Sequence, residues 1–194
     1  MLKEGAGGSK RDDNRRQASD VLCSEEISRL LAGGVIGRRV EVHRVIDSTN
    51  VRARQMASLG EPHGTLVCAR QQTGGKGRMG RSFYSPEDSG IYMSLILRPT
   101  LPAARSVMIT SMTAVAVARA IERLADVQVE IKWVNDLYIS GKKVGGILCE
   151  AELDCANGML EYAVVGIGVN VAAMKFPEEL SEIATSIGNE GPCE

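Results

Sequence analysis

The chain has few aromatic and few metal-binding side chains, and it has no excess of charge of either sign. Aromatic residues make up 4% of the sequence, histidine occurs twice, and the five cysteines form no Cys-x-x-Cys pair. The core is therefore expected to be packed from aliphatic side chains, and a structural zinc site or a disulfide framework has little support. The formal net charge of -1 argues against a general affinity for nucleic acid or membrane surfaces.

Long apolar runs are also missing. No stretch approaches the roughly 20 apolar residues that span a bilayer, and the N-terminus lacks a signal-peptide core. We therefore expect a cytoplasmic protein with reduced thiols. With 194 residues, 44% of them hydrophobic, the chain is long enough for one domain with a sizeable core. Residues 1–20 mix glycine, serine and charged residues without periodicity, which predicts a flexible tail followed by a domain over residues 21–194.

Periodicity predicts a set of strands and helices in which long hairpins dominate. Strands are expected over residues 40–46, 65–69, 90–97, 129–139, 142–150 and 162–171, and helices after Ser24, after Asn50 and over residues 105–124. Ser140-Gly141 and Asn157-Gly158 predict two hairpin turns. The apolar set of the longest helix is predicted to face the core, with its methionines as filler: Met108, Met112, Val115, Ala118 and Ile121.

The run from Gln72 to Arg81 is the most informative segment. Four of its ten residues are glycine, and Lys76, Arg78 and Arg81 add cations, so the loop is suited to holding an anion. The spacing fits a dinucleotide fingerprint, but no helical pattern follows, and no Ser or Thr follows Lys76 as a phosphate-binding P-loop requires. A solvated surface loop is the alternative that these residues alone leave open.

Three further places combine polar side chains with special backbone. Asp47-Ser48-Thr49-Asn50 joins a strand to a helix, where the hydroxyls either cap the helix or bind a small polar molecule. Trp133 lies among Lys132, Asn135 and Asp136, which indicates a site, with a solvated surface hairpin as the alternative. Gly166 and Gly168 interrupt an apolar strand, and they fit either a close approach of another backbone or a ligand, or a β-bulge.

Taken together, these segments resemble the catalytic domain of biotin–protein ligases. The resemblance covers roughly residues 36–187 and rests on five motifs in the family's order. The motifs are Asp47-Ser48-Thr49-Asn50, Gln72 with Gly75-Lys76-Gly77-Arg78-Met79-Gly80-Arg81, Lys132-Trp133-Val134-Asn135-Asp136-Leu137, Lys143-Val144-Gly145-Gly146-Ile147-Leu148 and Gly166-Ile167-Gly168-Val169-Asn170.

The resemblance implies an α/β (α+β) fold with a mixed, largely antiparallel central sheet and helices mainly on one face, similar to class II synthetases. It also implies a two-step reaction. The biotin carboxylate attacks the α-phosphate of ATP, which carries Mg²⁺, and releases pyrophosphate. The biotinyl group then passes from the adenylate to a lysine of a biotin carboxyl carrier protein. Both reactants of the first step are anions, so positive charge and positioning should dominate catalysis.

By resemblance, the site residues fall into three groups. Those expected to bind biotin are Ser48, Thr49, Asn50, Gln72, Lys76, Gly77, Arg78, Lys143, Gly145 and Gly146. Those expected to bind the nucleotide are Arg78, Arg81, Phe83, Lys132, Asn135, Lys143 and Asn170. Arg78, Lys143 and Asp136 are the expected catalytic residues, with Asp136 receiving the attacking lysine. No resident metal ligands are expected.

The chain departs from the family pattern at several positions. Lys76 replaces the usual Arg, Val134 the usual Pro and Phe83 a common Trp. No winged-helix segment precedes residue 20 and no C-terminal barrel follows, so no DNA partner is expected and transfer is in question. No membrane partner is expected, and a homodimer is left open. The alternatives are a lipoate–protein ligase and a biotin- or nucleotide-binding module without full transfer activity.

Overall fold

The computed structural model describes residues 22–191, so the tail predicted for residues 1–20 lies outside the described residues. Five α-helices are present in this range: α1 Ser24–Leu30, α2 Thr49–Ser58, α3 Val107–Leu124, α4 Glu178–Ser181 and α5 Ile187–Glu190. The seven strands are β1 Val40–Ile46, β2 Leu66–Gln72, β3 Gly90–Leu97, β4 Glu130–Lys132, β5 Asp136–Ile139, β6 Lys142–Asp154 and β7 Met159–Asn170.

All seven strands join one sheet in the order β1-β2-β3-β7-β6-β5-β4. Only β1 and β2 pair in parallel, and α2 supplies the crossover that a parallel pair requires. The remaining neighbours are antiparallel. The predicted α+β class with a mixed, largely antiparallel sheet is therefore confirmed, as are the hairpin turns at Ser140-Gly141 and Asn157-Gly158.

The two longest helices cover opposite faces of the sheet. On one face α3 packs on the odd-numbered residues of β7, from Ala163 to Val169. On the other face α2 packs on Tyr162 and Val164 of the same strand. Successive side chains of a strand alternate between faces, so one strand supplies both cores. The expectation of helices mainly on one face is corrected, because the crossover helix and the long helix lie on different sides.

The buried side of α3 also differs from the prediction. Ala118 and Ile121 are buried, but Met108 and Met112 are 52% and 67% exposed. The helix rests on the sheet through a neighbouring stripe, which consists of Ile109, Thr110, Ala114, Ala118 and Ile121. By length and composition alone, the segment Ala103–Leu124 is long and apolar enough to cross a membrane. Helices that pack in the core of a protein often have the same two properties.

The strand predicted over residues 129–139 is in fact two strands. The chain reverses at Trp133–Asn135, and β4 and β5 then pair with each other, with Lys132 opposite Asp136. Trp133 lies at this turn and is 78% exposed. The reversal puts Asn135 and Asp136 at the edge of the cavity described next, which a continuous strand would not do.

Candidate functional site

A cavity of about 210 Å³ opens on the α2 face of the sheet. It lies where β1 and β2 end, β6 begins and the glycine-rich loop of residues 73–81 follows β2. Its wall combines the N-terminus of α2, that loop and the central strands. The lining residues are Ser48, Thr49, Asn50, Gln72, Lys76, Gly77, Arg78, Met79, Arg81, Ser82, Phe83, Met93, Asn135, Asp136, Lys143, Gly146, Ile147, Leu148, Gly166, Ile167 and Gly168.

One end of the cavity is neutral and polar. Gln72 Oε1 accepts hydrogen bonds from the backbone N–H of Thr49 at 2.9 Å and from its hydroxyl at 3.1 Å. Ser94 Oγ donates to Asn50 Oδ1 at 2.6 Å. Thr49, Asn50 and Ser94 are each at least nine-tenths buried. Burial of so many polar atoms is tolerable only because they bond to one another.

The helix-cap alternative for this segment is only partly met. Ser48 occupies the N-cap position of α2, but its side chain makes no capping hydrogen bond. Two N–H groups at the start of the helix bond to side chains outside it: Ser48 N–H donates to Asp47 Oδ1 at 2.7 Å, and Thr49 N–H donates to Gln72 Oε1. The Ser48 hydroxyl is therefore left for the cavity that it lines.

Gly166 and Gly168 on β7 form the floor of the cavity. A Cβ on Gly166 would lie 2.1 Å from Asn50 Oδ1, and one on Gly168 would lie 2.7 Å from the Phe83 ring. Neither distance is compatible with a side chain. The two glycines are regularly paired with β3 and β6, so the bulge interpretation does not apply to them. Close approach is observed, but the groups that come close are the side chains of Asn50 and Phe83, whereas a backbone or a ligand was expected.

The other end of the cavity is cationic. Lys76, Arg78, Arg81 and Lys143 all line it. Lys143 Nζ donates to Asp136 Oδ1 at 2.7 Å, and Arg78 Nη1 donates to Asn135 Oδ1 at 3.0 Å. Asn135 Nδ2 donates in turn to Asp136 Oδ1 at 2.8 Å. The Arg78–Asn135 hydrogen bond thus joins the glycine-rich loop to the β4–β5 turn. Four cationic side chains line this end of the cavity, against the single carboxylate of Asp136.

A β-bulge determines where the Lys143 side chain points. Leu137 pairs with Gly145 whereas Tyr138 pairs with Lys143, so β6 contains one extra residue, Val144, at this point. Val144 joins the core under α3 instead of facing the cavity. The bulge shifts the alternation by one residue, and Lys143 thereby shares the cavity face with Gly146.

Three residues implied by the resemblance lie away from the cavity lining. Gly145 faces Val169 and the α3 side of the sheet. Lys132 is exposed, with its Nζ 5.3 Å from the centroid of the Tyr138 ring. Asn170 is buried and donates from Nδ2 to the Thr185 carbonyl at 2.9 Å, while its Oδ1 has no hydrogen-bond partner. Every other predicted site residue lines the cavity, including Asn135 and Asp136.

Sequence reasoning missed several polar residues around the neutral end. Ser94 and Ser85 bond to Asn50 and Gln72, and Glu150 bonds to Asn50. Ser94 and Glu150 lie inside otherwise apolar strands, so a polar residue at a position that faces the core was the only signal.

The buried cysteines are poorly suited to nucleophilic chemistry. Burial raises the pKa of Cys68 to about 12 and also raises the pKa of Cys149, which makes both thiols poor nucleophiles. Both lie outside the cavity lining. Within residues 22–191 no group of three His, Cys, Asp or Glu side chains is placed to hold a metal ion.

The fold places a neutral polar pocket beside a cluster of cationic side chains in one cavity. The family model of the biotin/lipoate A/B protein ligase family matches residues 42–170, more than half of the chain. The chain therefore belongs to this family, as the motifs predicted.

Individual members of the family share substantial sequence or fold similarity with this chain. The chain is 42% identical over 168 residues to the bifunctional ligase/repressor BirA of Bacillus subtilis, a match that covers 86% of this chain and 51% of that protein. The biotin protein ligase from Aquifex aeolicus in complex with biotin and ATP is 30% identical, with a TM-score of 0.63 over 78% of this chain and 60% of that one. The enzyme from Leishmania major in complex with biotinyl-5-AMP is 26% identical, with a TM-score of 0.61 over 78% of this chain and 64% of that one. The chain spans about half the length of the curated relative.

Proposed function

We propose that this domain activates biotin with ATP to form biotinyl-5'-AMP and transfers the biotinyl group to a lysine of a biotin carboxyl carrier protein. The observation that carries the proposal is a single cavity with a neutral polar end and a cationic end. Biotin has the same two ends, a ring system with polar N–H and C=O groups and a chain that ends in a carboxylate. The relatives with bound biotin, ATP or biotinyl-5-AMP support the same assignment.

Biotin fits the neutral end better than lipoate does. Thr49, Asn50 and Gln72 offer hydrogen-bond donors and acceptors inside a mostly buried wall. The cyclic urea of biotin can satisfy them, whereas the dithiolane ring of lipoate has no comparable groups. A ligand without those groups would leave buried polar atoms unpaired, which costs roughly 1–3 kcal/mol for each group. We therefore place lipoate second.

The cationic end would supply the activation step. In this step a carboxylate oxygen of biotin bonds to the α-phosphorus while the bond to the leaving pyrophosphate breaks. Lys143 and Arg78 are held by Asp136 and Asn135 in positions where they can neutralise both anions. Such prearranged charges act most strongly in a cavity that excludes water. Lys76 and Arg81, both exposed on the loop, would close over the phosphates.

Mg²⁺ would enter with ATP as the counter-ion of its phosphates. The described residues provide no group of three ligands for a resident ion. Asn170 does provide one buried amide oxygen without a hydrogen-bond partner, the kind of hard oxygen ligand that Mg²⁺ accepts. Its role in holding the metal–nucleotide complex is a proposal, as is the role of Lys132 in binding nucleotide.

Asp136 would receive the acceptor lysine. Both of its hydrogen bonds, from Lys143 and from Asn135, are made to Oδ1. Oδ2 is thus open to an amine that approaches the carbonyl carbon of the adenylate. The amine loses a proton as its bond to that carbon forms and AMP leaves, and a carboxylate beside it orients the attack or accepts the proton.

Pyrophosphate release tests the proposal. We expect release on addition of biotin and Mg-ATP, none with lipoate, and labelling when a biotin carrier domain is added. Release without labelling would support activation and place transfer outside this chain, as in the alternative of incomplete activity. Absence of release with biotin would contradict the proposed enzyme, and release with lipoate alone would favour a lipoate ligase.

A further inference from the structure

Glu150 on β6 sits behind the neutral end of the cavity and does not line it. Its Oε2 accepts a hydrogen bond from Asn50 Nδ2 at 2.9 Å. Its Oε1 accepts one from Arg54 Nη1 at 3.3 Å, so an arginine balances its charge. No motif of the sequence gives Glu150 a role, and a charged residue in a central strand requires a reason.

A carboxylate only accepts hydrogen bonds, so Glu150 fixes which way the Asn50 amide is turned. The NH₂ group must face Glu150, and Oδ1 must face Ser94. The Leu148 carbonyl also accepts from Asn50 Nδ2, but at 3.5 Å it is too distant to hold this orientation alone. Glu150 is therefore the main determinant of the orientation of the amide.

The orientation of Asn50 then determines the hydrogens of the next two side chains. Ser94 has one hydroxyl hydrogen, and it goes to Asn50 Oδ1 at 2.6 Å. Thr49 Oγ1, 2.8 Å from Ser94 Oγ, is the other acceptor within reach of that hydrogen, and Asn50 Oδ1 is the nearer one. The hydrogen of Thr49 itself goes to Gln72 Oε1 at 3.1 Å, which can only accept. Thr49 Oγ1 thus keeps its lone pairs for the cavity.

The hydrogen bonds continue from Thr49 to Gln72, whose amide nitrogen is a donor beside the Thr49 acceptor. Gln72 Oε1 accepts the Thr49 N–H, and Gln72 Nε2 donates one hydrogen to Ser85 Oγ at 3.0 Å. The Ser85 hydrogen goes to the Phe83 carbonyl, so Ser85 can only accept from Gln72. The second hydrogen of Gln72 Nε2 is left for the cavity. The wall therefore presents an acceptor at Thr49 next to a donor at Gln72.

We infer that Glu150 is a positioning residue that sets this polarity and thereby selects a ligand ring with an N–H next to a C=O, as in the cyclic urea of biotin. The inference rests on the proposed function. Without Glu150 the Asn50 amide can turn over, and the Ser94 hydrogen can then point at Thr49. One lone pair of Thr49 would be occupied, and a ligand N–H would find a weaker acceptor.

The test compares Glu150→Met, which has no carboxylate, with Glu150→Gln, whose amide oxygen can still accept from Asn50. We expect the biotin KM of Glu150→Met in pyrophosphate release to rise about fivefold to tenfold, the effect of weakening one hydrogen bond. The ATP KM and the kcat at saturating biotin should stay within about twofold, because the cationic end is untouched. Glu150→Gln should restore most of the biotin KM.

A double-mutant cycle separates polarity from general damage to the fold. Thr49→Val removes the acceptor through which Glu150 is inferred to act. Glu150→Met should therefore add little to the biotin KM of Thr49→Val, whereas independent structural losses would multiply. Ser94→Ala removes the hydrogen that is inferred to turn toward Thr49, so Glu150→Met should raise the biotin KM little in a Ser94→Ala background.

Glu152→Met is the matched control, since Glu152 is an exposed glutamate two residues along the same strand. It should leave both KM values unchanged. A wild-type chain that releases pyrophosphate with biotin, together with an unchanged biotin KM in Glu150→Met, would overturn the inference and leave the proposed function intact. Additive losses in the cycle would also overturn it. A wild-type chain inactive with biotin would instead overturn the proposed function on which the inference rests.

Discussion

The two faces of β7 show how one strand can serve two purposes. Toward α3 it presents Val165, Ile167 and Val169, which are buried in an apolar core. Toward α2 the same stretch presents Gly166 and Gly168, which have no side chains and let polar and aromatic groups come close. Large side chains fill the core on the α3 face, and glycines leave room for the cavity on the other face. Changes on the α3 face should therefore alter stability, and changes on the cavity face should alter the reaction.

The largest effect is expected from Lys143→Met on the cavity face. This variant removes a cation from the developing negative charge, and kcat for pyrophosphate release should fall by about 10²- to 10³-fold. Lys142→Met is the matched control, because Lys142 Nζ donates to the Ser181 carbonyl outside the cavity lining. Equal losses in the two variants would show that the bulge does not separate their roles.

Gly166→Ala should come next. Its added methyl group would have to displace Asn50, whose Oδ1 would lie 2.1 Å from the new Cβ. A shift of this kind in a positioning group costs on the order of 10²-fold in rate, so kcat/KM for biotin should fall about 100-fold while the protein stays folded. Steady-state kinetics measure the fall in kcat/KM, and thermal unfolding shows whether the protein stays folded. A folded variant with normal kcat/KM would contradict the close-approach interpretation.

Val165→Ala tests the opposite face one residue away. Val165 is fully buried under α3, so the deletion should lower the free energy of unfolding by about 2 kcal/mol. The biotin KM should hardly change, because Val165 does not line the cavity. Urea unfolding with kinetics on the same samples provides the check. A large rise in KM without loss of stability would show that the faces are not independent.

The smallest effect is expected from the titration of Cys68, which is buried on the α3 face of the sheet. Burial raises the pKa of Cys68 to about 12, above its unfolded value, so the neutral thiol stabilises the fold fully below the unfolded pKa. This contribution is lost as pH rises from there through about 12. By pH 10 the loss should be about 1 kcal/mol, and Cys68→Ala should remove that share of the pH dependence. Urea unfolding at pH 8 and pH 10 tests this.

Thiol labelling gives an independent check on the same residue. Iodoacetamide at pH 8 should modify exposed Cys155 in the native protein and Cys68 only after unfolding. Mass spectrometry of native and urea-treated samples distinguishes the two sites. Rapid native modification of Cys68 would mean that this face admits water.

Much of the architecture could be predicted from the sequence because its signals are local. Asn157-Gly158 and Ser140-Gly141 specify turns, and alternation specifies the strands beside them. The side on which each helix packs could not be predicted, because it depends on the crossover between β1 and β2. Met108 and Met112 of α3 were wrongly predicted to face the core. The apolar residues of this helix cover a broader stripe than the one that is buried, and periodicity alone does not show which part of the stripe packs on the sheet.

The site was predictable where residues cluster in motifs and not where they act singly. The glycine-rich loop and the Thr49 segment stand out from their surroundings, and the structure brings them to one cavity. Ser94 and Glu150 are isolated polar residues in strands, and only their neighbours in space reveal a purpose. The roles of the site residues stay predictions, as do the cellular location, the absence of DNA and membrane partners and the formation of a homodimer.

The bulge in β6 adds a side chain to the core without moving the lysine of the site. Val144 contacts only the apolar core, so another aliphatic side chain could replace it. Without it, Lys143 would directly precede Gly145 and a regular pleat would still place Lys143 on the face of Gly146, so its deletion should cost core packing and leave the charge of the site in place. Val144 is thus an added residue that fills the α3 side of the sheet, where Gly145 has no side chain, while the cavity face keeps the alternation of a regular strand.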